Sequence, residues 1–135
     1  MTKEFKYMKG VIAIATTPFN NENLIDFESV DRLSNYYIES KVSGVTILGV
    51  MGEAHKLNIE EQKTLIKRYV NNLINSVPVI VGVSNAGLDN LELLSKFSMD
   101  SGASGVMVSG YNGLKNDDQI KSYFNQVVDR TKDIP

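Results

Sequence analysis

Apolar residues along this chain fall into short, uninterrupted runs that alternate with longer segments of mixed polarity. The four runs begin near residues 10, 44, 78 and 105, and apolar or β-branched residues follow one another within them. Such runs are typical of strands that are covered on both faces, as in a parallel sheet. The pattern therefore predicts four strands of the α/β class, each followed by a helix.

The segments between the runs carry apolar residues at helical spacing, and capping residues mark where they begin. The first helix is expected from Asp26 to near Lys41. The second starts at Asn58, where Glu61 three positions later completes the pattern of a capping box, and it is stopped by Val77-Pro78. Residues 116–119 repeat the capping pattern ahead of the last helix. The apolar face predicted for that helix consists of Ile120, Tyr123, Phe124, Val127 and Val128.

Repeated strand–helix units are compatible with two architectures. One is a small doubly wound sheet, and the other is an arc of a (β/α)₈ TIM barrel. The dipeptide Val77-Pro78 leads into the third strand, and a similar Ile134-Pro135 ends the chain. We therefore expect residues 10–135 to form the first four βα units of a TIM barrel, the N-terminal half, truncated before strand five. Residues 1–9 are expected to form an N-terminal arm.

The loop after the second strand, Gly49-Val50-Met51-Gly52-Glu53 (the 49–53 loop), is the first candidate for a binding site. Loops at the carboxyl ends of parallel strands are where α/β proteins usually bind ligands. The alternative is a glycine-rich turn without chemistry. Glu53 is expected to accept backbone N–H bonds and hold the loop's shape, or else to act as a general base. Thr16 and Thr17 close the first strand, where a hydroxyl either faces the site or caps the turn.

The composition of the chain argues against several classes of protein. The formal net charge of −2 argues against general affinity for nucleic acid or for anionic membranes. No apolar stretch approaches the length of a membrane span, and the first ten residues lack the apolar segment of a secretory signal. The chain has no cysteine, which excludes disulfides and thiolate chemistry, and its single histidine, His55, cannot build a multi-histidine metal site. These features together predict a cytoplasmic protein, for which we expect no cofactor.

Four stretches of the chain resemble, in order and at suitable distances, the N-terminal half of the dihydrodipicolinate synthase/N-acetylneuraminate lyase family. They are GVIAIATTPF at 10–19, LGVMGEAHKL at 48–57, VPVIVGVS at 77–84 and SGASGVMVS at 101–109. The Thr-Pro-Phe and Gly-x-x-Gly-Glu turns are the most specific of these elements. The resemblance implies a (β/α)₈ barrel, usually tetrameric, and a class I aldolase or lyase. In such an enzyme a lysine forms a Schiff base with pyruvate or another 2-oxo acid, without metal, and an aldehyde is the second small-molecule substrate.

The resemblance also implies roles for residues of the 49–53 loop. The family binds the 2-oxo acid carboxylate there, which assigns substrate binding to Val50, Met51 and Gly52. The middle residues are usually hydroxylic in the family, whereas Val50 and Met51 have no hydroxyl, so backbone N–H groups are the expected anion donors. We hypothesise that the complete enzyme is therefore not an efficient dihydrodipicolinate synthase but a lyase for another substrate.

The remaining catalytic groups implied by the family are a tyrosine after strand four and the Schiff-base lysine. Matching by Tyr-Asn makes Tyr111 the catalytic tyrosine, while matching back from the capped helix makes Asn112 its counterpart. The lysine is implied beyond Pro135, and none of the eleven lysines here substitutes for it. The chain alone is thus expected to be inactive; the alternative is a non-catalytic half-barrel or a small doubly wound binding module.

A half-barrel has a consequence for association. Its first and fourth strands are edges with unpaired backbone groups. Its inward residues, expected to include Ile12, Ile14 and Val108, lack the opposite wall that fills a closed barrel. We therefore predict that the chain alone dimerises or aggregates, whereas a doubly wound sheet would tolerate a monomer.

Overall fold

The computed structural model describes residues 9–135 and shows four strand–helix units in the predicted order. The predicted N-terminal arm lies, apart from Lys9, outside the described residues. The strands are β1 (Ile12–Ile14), β2 (Gly44–Ile47), β3 (Val79–Gly82) and β4 (Gly105–Met107). The helices are α1 (Phe27–Glu39), α2 (Ile59–Leu73), α3 (Leu88–Asp100) and α4 (Asp117–Arg130). No helix within residues 9–135 has the length and apolar character needed to cross a membrane.

Polar side chains begin the helices where the sequence predicted them. The Asp26 carboxylate accepts a hydrogen bond from the Ser29 N–H at 3.0 Å and caps α1. Asn58 and Glu61 form both bonds of the capping box, at 2.9 and 2.8 Å, and α2 follows directly. The Asn116 side chain accepts the Gln119 N–H at 2.9 Å and caps α4, while the Gln119 side chain accepts the Lys115 N–H at 2.8 Å. These boundaries are set within one turn of chain, which is why the sequence alone could place them.

The four strands are parallel and lie in the order β1-β2-β3-β4. Helices pack against their neighbours in the same order, α1 on α2, α2 on α3 and α3 on α4. A doubly wound sheet reverses its strand order so that helices cover both faces, and no reversal occurs in residues 9–135. The doubly wound alternative is therefore wrong, and the fold is four consecutive βα units of a barrel.

Alternate residues of the strands point to two different surfaces. On the helix-covered face, Val45, Ile47, Val79 and Val81 are at most 2% exposed and form the centre of the core. On the other face, called the inner face, Ile12, Ile14 and Met107 are 38%, 42% and 38% exposed. The prediction that Ile12 and Ile14 face away from the helices is confirmed.

Two predictions about burial need correction. Val108 was expected to point inward, but it packs against the helix-side core, and Met107 takes the inward position in β4 because side chains alternate. On α4, Tyr123 and Val127 are buried as predicted. Ile120 and Val128 are 40% and 63% exposed, so the buried face of α4 is narrower than predicted.

The edge of β4 carries one further pairing. The Val106 N–H donates to the Pro135 carbonyl at 2.8 Å, as the Val45 N–H donates to the Pro78 carbonyl at 3.0 Å just ahead of β3. Pro135 thus holds, beside β4, the position that Pro78 holds beside β2. The resemblance between Val77-Pro78 and Ile134-Pro135 is structural as well as sequential.

Candidate functional site

Two residues in the left-handed backbone region bracket the 49–53 loop: Leu48 directly precedes it, and Glu53 is its last residue. Leu48 has φ 55° and Glu53 has φ 54°. Between them the Gly52 N–H bonds to the Gly49 carbonyl at 3.0 Å, and the Glu53 N–H bonds to the Val50 carbonyl at 3.1 Å. Leu48 is 3% exposed, so burial of its side chain offsets the cost of the left-handed conformation, about 1 kcal/mol. The loop's shape therefore depends on the core beneath it.

Two glycines let the ends of three strands approach one another. A Cβ atom on Gly52 would lie 2.9 Å from the Leu48 nitrogen and 3.3 Å from the Ala15 carbonyl oxygen. On Gly82, at the end of β3, it would lie 2.2 Å from the Leu48 carbonyl oxygen. All of these neighbours are backbone atoms, so a side chain at either position would require the backbone to shift. Glycine at these positions therefore permits the close approach of β1, β2 and β3 next to the loop.

The turn after β1 is hydrogen-bonded to the 49–53 loop and helps to fix its position. The buried Thr17 hydroxyl donates to the Gly52 carbonyl at 2.6 Å across 35 positions of sequence. The neighbouring Thr16 carbonyl accepts the Tyr69 hydroxyl at 3.2 Å. Burial raises the pKa of Tyr69 well above its ordinary value, so its hydroxyl remains a donor. Thr17 acts through its side chain, whereas Thr16 acts through its backbone and leaves its own side chain exposed.

The outward surface of the loop belongs to Val50 and Met51, which are 83% and 58% exposed. Within the part of the chain that the structure describes, their backbone N–H groups have no protein acceptor. The Gly52 N–H, by contrast, is already bound to Gly49. Two successive free N–H donors at a turn suit an anion. Of the three residues assigned to the carboxylate, Val50 and Met51 present donors, and Gly52 shapes the turn.

Glu53 does not bind backbone N–H groups as expected. Its carboxylate accepts a hydrogen bond from Lys56 Nζ at 2.5 Å. That bond, with the charge of Lys56, holds the pKa of the Glu53 carboxyl below its ordinary value. A carboxylate kept ionised by a cation is a weak proton acceptor, which argues against general-base catalysis by Glu53. Its contribution to the loop is its left-handed backbone and this ion pair. His55 is exposed.

Tyr111 lies in the loop after β4, with its ring edge-on to Tyr123 at 5.3 Å between centroids. The Tyr123 hydroxyl in turn donates to the Asn85 carbonyl at 2.8 Å. Tyr111 lines a cavity of about 510 Å³ with side chains of α3 and α4, and no residue of the 49–53 loop borders it. Asn112 is exposed, and its carbonyl accepts a hydrogen bond from Lys115 Nζ. The structure thus places Tyr111 against α4, and its assignment over Asn112 stays a prediction.

A second pair of polar groups lies at this end of the sheet, and the sequence indicated one member of it: Ser84, like Thr16 and Thr17, follows a strand where its hydroxyl either faces the site or caps the turn, but its contact with Ser109 was not predicted. The Ser84 Oγ accepts the Ser109 N–H at 2.8 Å, and the two hydroxyl oxygens are 3.1 Å apart. Ser84 follows β3 and Ser109 follows β4. Their contact depends on the register of the two strands, which the sequence does not state. The sequence signal that could have indicated the contact is that each serine lies two positions after the last residue of its strand.

No lysine within residues 9–135 resembles an activated amine. All of them lie outside the four strands, and none is buried. Lys63 is the least exposed, and it pairs with Glu60 at 2.9 Å. A lysine that acts as a nucleophile is commonly desolvated in an apolar pocket, and no described lysine lies in one.

Comparison with known proteins gives a consistent result. A sequence model described as the Dihydrodipicolinate synthetase family matches residues 7–135. The 4-hydroxy-tetrahydrodipicolinate synthase of Methanocaldococcus jannaschii is 31% identical over 122 residues, which cover 90% of this chain and 42% of the relative. The enzyme of the same name from Thermotoga maritima is 31% identical over 124 residues, which cover 91% and 42%. This chain therefore spans less than half the length of these relatives.

Solved structures match the same part. The dihydrodipicolinate synthase of Rhodopseudomonas palustris superposes with a TM-score of 0.87 at 42% identity, over 93% of this chain and 42% of that one. YagE of E. coli K12, a family member crystallised with pyruvate, gives a TM-score of 0.82 at 27% identity over 91% and 42%. CdNal of Clostridium difficile, in complex with mannosamine, has a TM-score of 0.84 at 23% identity over 93% and 44%, and shares the fold.

Proposed function

Because this chain belongs to the dihydrodipicolinate synthetase family and corresponds to its N-terminal half, we propose that it is the substrate-binding half of a Schiff-base aldolase or lyase. The complete enzyme acts on pyruvate or another 2-oxo acid and on an aldehyde. This segment supplies the loop that binds the 2-oxo acid carboxylate. The lysine nucleophile is not among its residues, so the chain alone is inactive.

The observation that carries this proposal is the pair of unoccupied N–H donors at Val50 and Met51. They lie at the carboxyl end of β2, where barrels of this architecture bind their substrates. The Thr17–Gly52 bond and the close approach of Gly82 to Leu48 hold the turn in place before any ligand arrives. A prearranged turn loses less entropy when a carboxylate binds.

Electrostatics at the loop favour the same ligand. Glu53 would repel a carboxylate, but its charge is balanced by Lys56 at 2.5 Å. The donors are neutral amides, so the site binds the anion without a nearby lysine or arginine on the loop. The E. coli relative crystallised with pyruvate supports the choice of a small 2-oxo acid as the ligand.

Val50 and Met51 support a further proposal about specificity. Neither side chain carries a proton that could be passed to a substrate. We propose that the complete enzyme condenses pyruvate poorly with aspartate semialdehyde and prefers another aldehyde. Rapid turnover of that pair by a protein containing this chain and the rest of its barrel would contradict the proposal. Tyr111 is retained as the proposed catalytic tyrosine.

A titration of the ¹⁵N-labelled chain with pyruvate tests the carboxylate site. We expect the amide signals of Val50 and Met51 to move in a saturable way, since their N–H groups receive the anion. Acetone has the ketone but no carboxylate and serves as the control ligand, for which these signals should stay in place. Equal movement with both ligands, or no movement with pyruvate, would reject the carboxylate site.

A non-catalytic half-barrel that self-associates is the second candidate. It is favoured by the exposed apolar side chains of the inner face, Ile12, Ile14 and Met107. This candidate predicts self-association without any response of the 49–53 loop to pyruvate, so the same titration separates it from the enzyme. Under the first candidate, we propose that the complete enzyme is a homo-oligomer.

A further inference from the structure

Asn112 is the only asparagine of this chain that precedes a glycine. Asparagine is a chemically labile residue, because the backbone nitrogen of the following residue can attack its side-chain carbonyl carbon. Glycine in that position leaves the attack unhindered, since it has no Cβ atom and its backbone is conformationally free. Asn112 and Gly113 are both exposed, in the loop between β4 and α4. The dipeptide is therefore a candidate for spontaneous modification of the main chain.

The two groups that would react are free of protein hydrogen bonds. Asn112 and Gly113 form the centre of a turn, which the Leu114 N–H closes by donating to the Tyr111 carbonyl at 3.1 Å. Within residues 9–135, the Gly113 N–H has no hydrogen-bond acceptor, and the Asn112 side-chain amide has no hydrogen-bond partner. No hydrogen bond of either group has to break before the nitrogen and the side chain meet.

A cation lies beside the peptide unit that supplies the nucleophile. Lys115 Nζ donates a hydrogen bond to the Asn112 carbonyl at 3.0 Å. That carbonyl and the Gly113 N–H belong to the same conjugated peptide unit, so the negative charge left when the nitrogen loses its proton is shared with the oxygen next to Lys115. A nearby opposite charge favours the charged form of a group. Lys115 thus favours ionisation of the attacking nitrogen.

Asn75 has the same exposure but lacks these features. It lies after α2 and is followed by the small residue Ser76, which is exposed as well. The Ser76 N–H donates to the Leu73 carbonyl at 2.8 Å, so the nitrogen that would attack is already engaged. Serine also has a Cβ atom, which restricts its backbone more than that of glycine. Asn75 is therefore expected to remain intact where Asn112 reacts.

We propose that Asn112-Gly113 is a site of spontaneous deamidation that Lys115 assists. The Gly113 nitrogen gives its proton to solvent and bonds to Asn112 Cγ. The bond from Cγ to the side-chain nitrogen breaks, and that nitrogen takes up a proton and leaves as ammonia, so that a cyclic imide remains. Water is the second reactant, and it opens the ring at either carbonyl carbon. The products are aspartate and isoaspartate, in which the main chain runs through the former side chain.

The modification affects the position of Tyr111. A Cβ atom on Gly113 would clash with the Tyr111 ring, so the Gly113 backbone lies directly against that ring. Isoaspartate lengthens the main chain by a methylene group, which disrupts the turn between Tyr111 and Leu114. Tyr111 then loses the support that keeps it edge-on to Tyr123. Deamidation therefore displaces, as the protein ages, the residue that is proposed as the catalytic tyrosine.

The test is incubation of the whole chain in warm, mildly alkaline buffer, followed by proteolytic digestion and mass spectrometry. We expect the peptide with Asn112 to gain the mass difference between an amide and an acid, and the peptide with Asn75 to stay unmodified over the same time. Lys115→Met removes the cation and should slow the conversion of Asn112 at least about threefold. Lys115→Arg keeps the charge and should convert at close to the wild-type rate.

No conversion at Asn112, or conversion no faster than at Asn75, would overturn the site. Equal rates in wild type and Lys115→Met would overturn the assistance by Lys115. The effect on Tyr111 is measured on the ¹⁵N-labelled chain, where the amide signals of Tyr111 and Tyr123 should move as isoaspartate accumulates. Asn112→Asp has the charge without the longer main chain, and it should leave the Tyr123 signal in place. An aged protein whose Tyr111 and Tyr123 signals match those of fresh protein would overturn the displacement.

Discussion

The two faces of the sheet use the same strands but differ in exposure: the helix-covered face is buried throughout, whereas the inner face is buried at Thr46 and Ile80 of the central strands and exposed at Ile12, Ile14 and Met107 of the outer strands. Ile47, on the helix-covered face, is 1% exposed, whereas Ile14, on the inner face of the neighbouring strand, is 42% exposed. The covered face stabilises the fold through burial. The exposed inner-face positions of β1 and β4 bury less area and contribute less of that stability. The same alternation, continued past the strand ends, brings Ser84 and Ser109 together near the 49–53 loop.

Alanine in place of each isoleucine should separate the two faces most strongly. Ile47→Ala leaves a cavity in a packed core and should lower the free energy of unfolding by about 3 kcal/mol. Ile14→Ala removes the same atoms from a partly exposed position and should cost less than about 1 kcal/mol. Urea denaturation of both variants measures the difference. Similar losses would show that the inner face is packed as tightly as the covered one.

Gly82 and Gly49 differ in the space available for a side chain, and alanine substitutions should show that difference. Gly82→Ala would place a methyl group 2.2 Å from the Leu48 carbonyl oxygen and should cost about 2 kcal/mol. Gly49→Ala meets only side-chain atoms, at 3.6 and 3.8 Å, and should change stability by less than about 1 kcal/mol. Thermal unfolding of the two variants is the measurement. An equally stable Gly82→Ala protein would mean that β2 and β3 do not approach so closely.

Adjacent threonines extend the comparison to the turn below the loop. Thr17→Val removes the buried donor to the Gly52 carbonyl and should cost about 1–2 kcal/mol, because that carbonyl is left unpaired. Thr16→Val alters an exposed side chain and should have little effect. The loop amides of Val50 and Met51 should shift in the Thr17 variant alone. Equal behaviour of both variants would remove Thr17 from its role in holding the loop.

Self-association is the smallest of the expected differences and concerns the uncovered face directly. We expect the chain to form dimers or larger species in sedimentation equilibrium, because Ile12, Ile14 and Met107 of the inner face are exposed and β1 and β4 are the outermost strands of the described sheet. Ile14→Lys should weaken this association by about tenfold or more, about 1.4 kcal/mol. Val128→Lys, on the exposed surface of α4, is the matched control and should leave it unchanged. A well-folded wild-type monomer at high concentration would refute the prediction.

The sequence predicted those features that depend on neighbours along the chain. Helix starts at Asp26, Asn58 and Asn116 are local, and so are the glycine-rich turns. Features that depend on register were not accessible. Val108 was assigned inward in place of Met107 because a one-residue error in strand phase exchanges the two faces. The Ser84/Ser109 contact spans 25 positions and exists only because β3 and β4 pair as they do.

We propose that this chain binds a 2-oxo acid but holds no lysine able to react with it. Borohydride treatment of the chain, at the pyruvate concentration that moves the Val50 and Met51 amide signals, tests both parts of this proposal. We predict unchanged protein mass, because every lysine in residues 9–135 is unburied and outside the strands. A reduced pyruvate adduct located on any lysine by mass spectrometry would show that the chain does hold a reactive lysine.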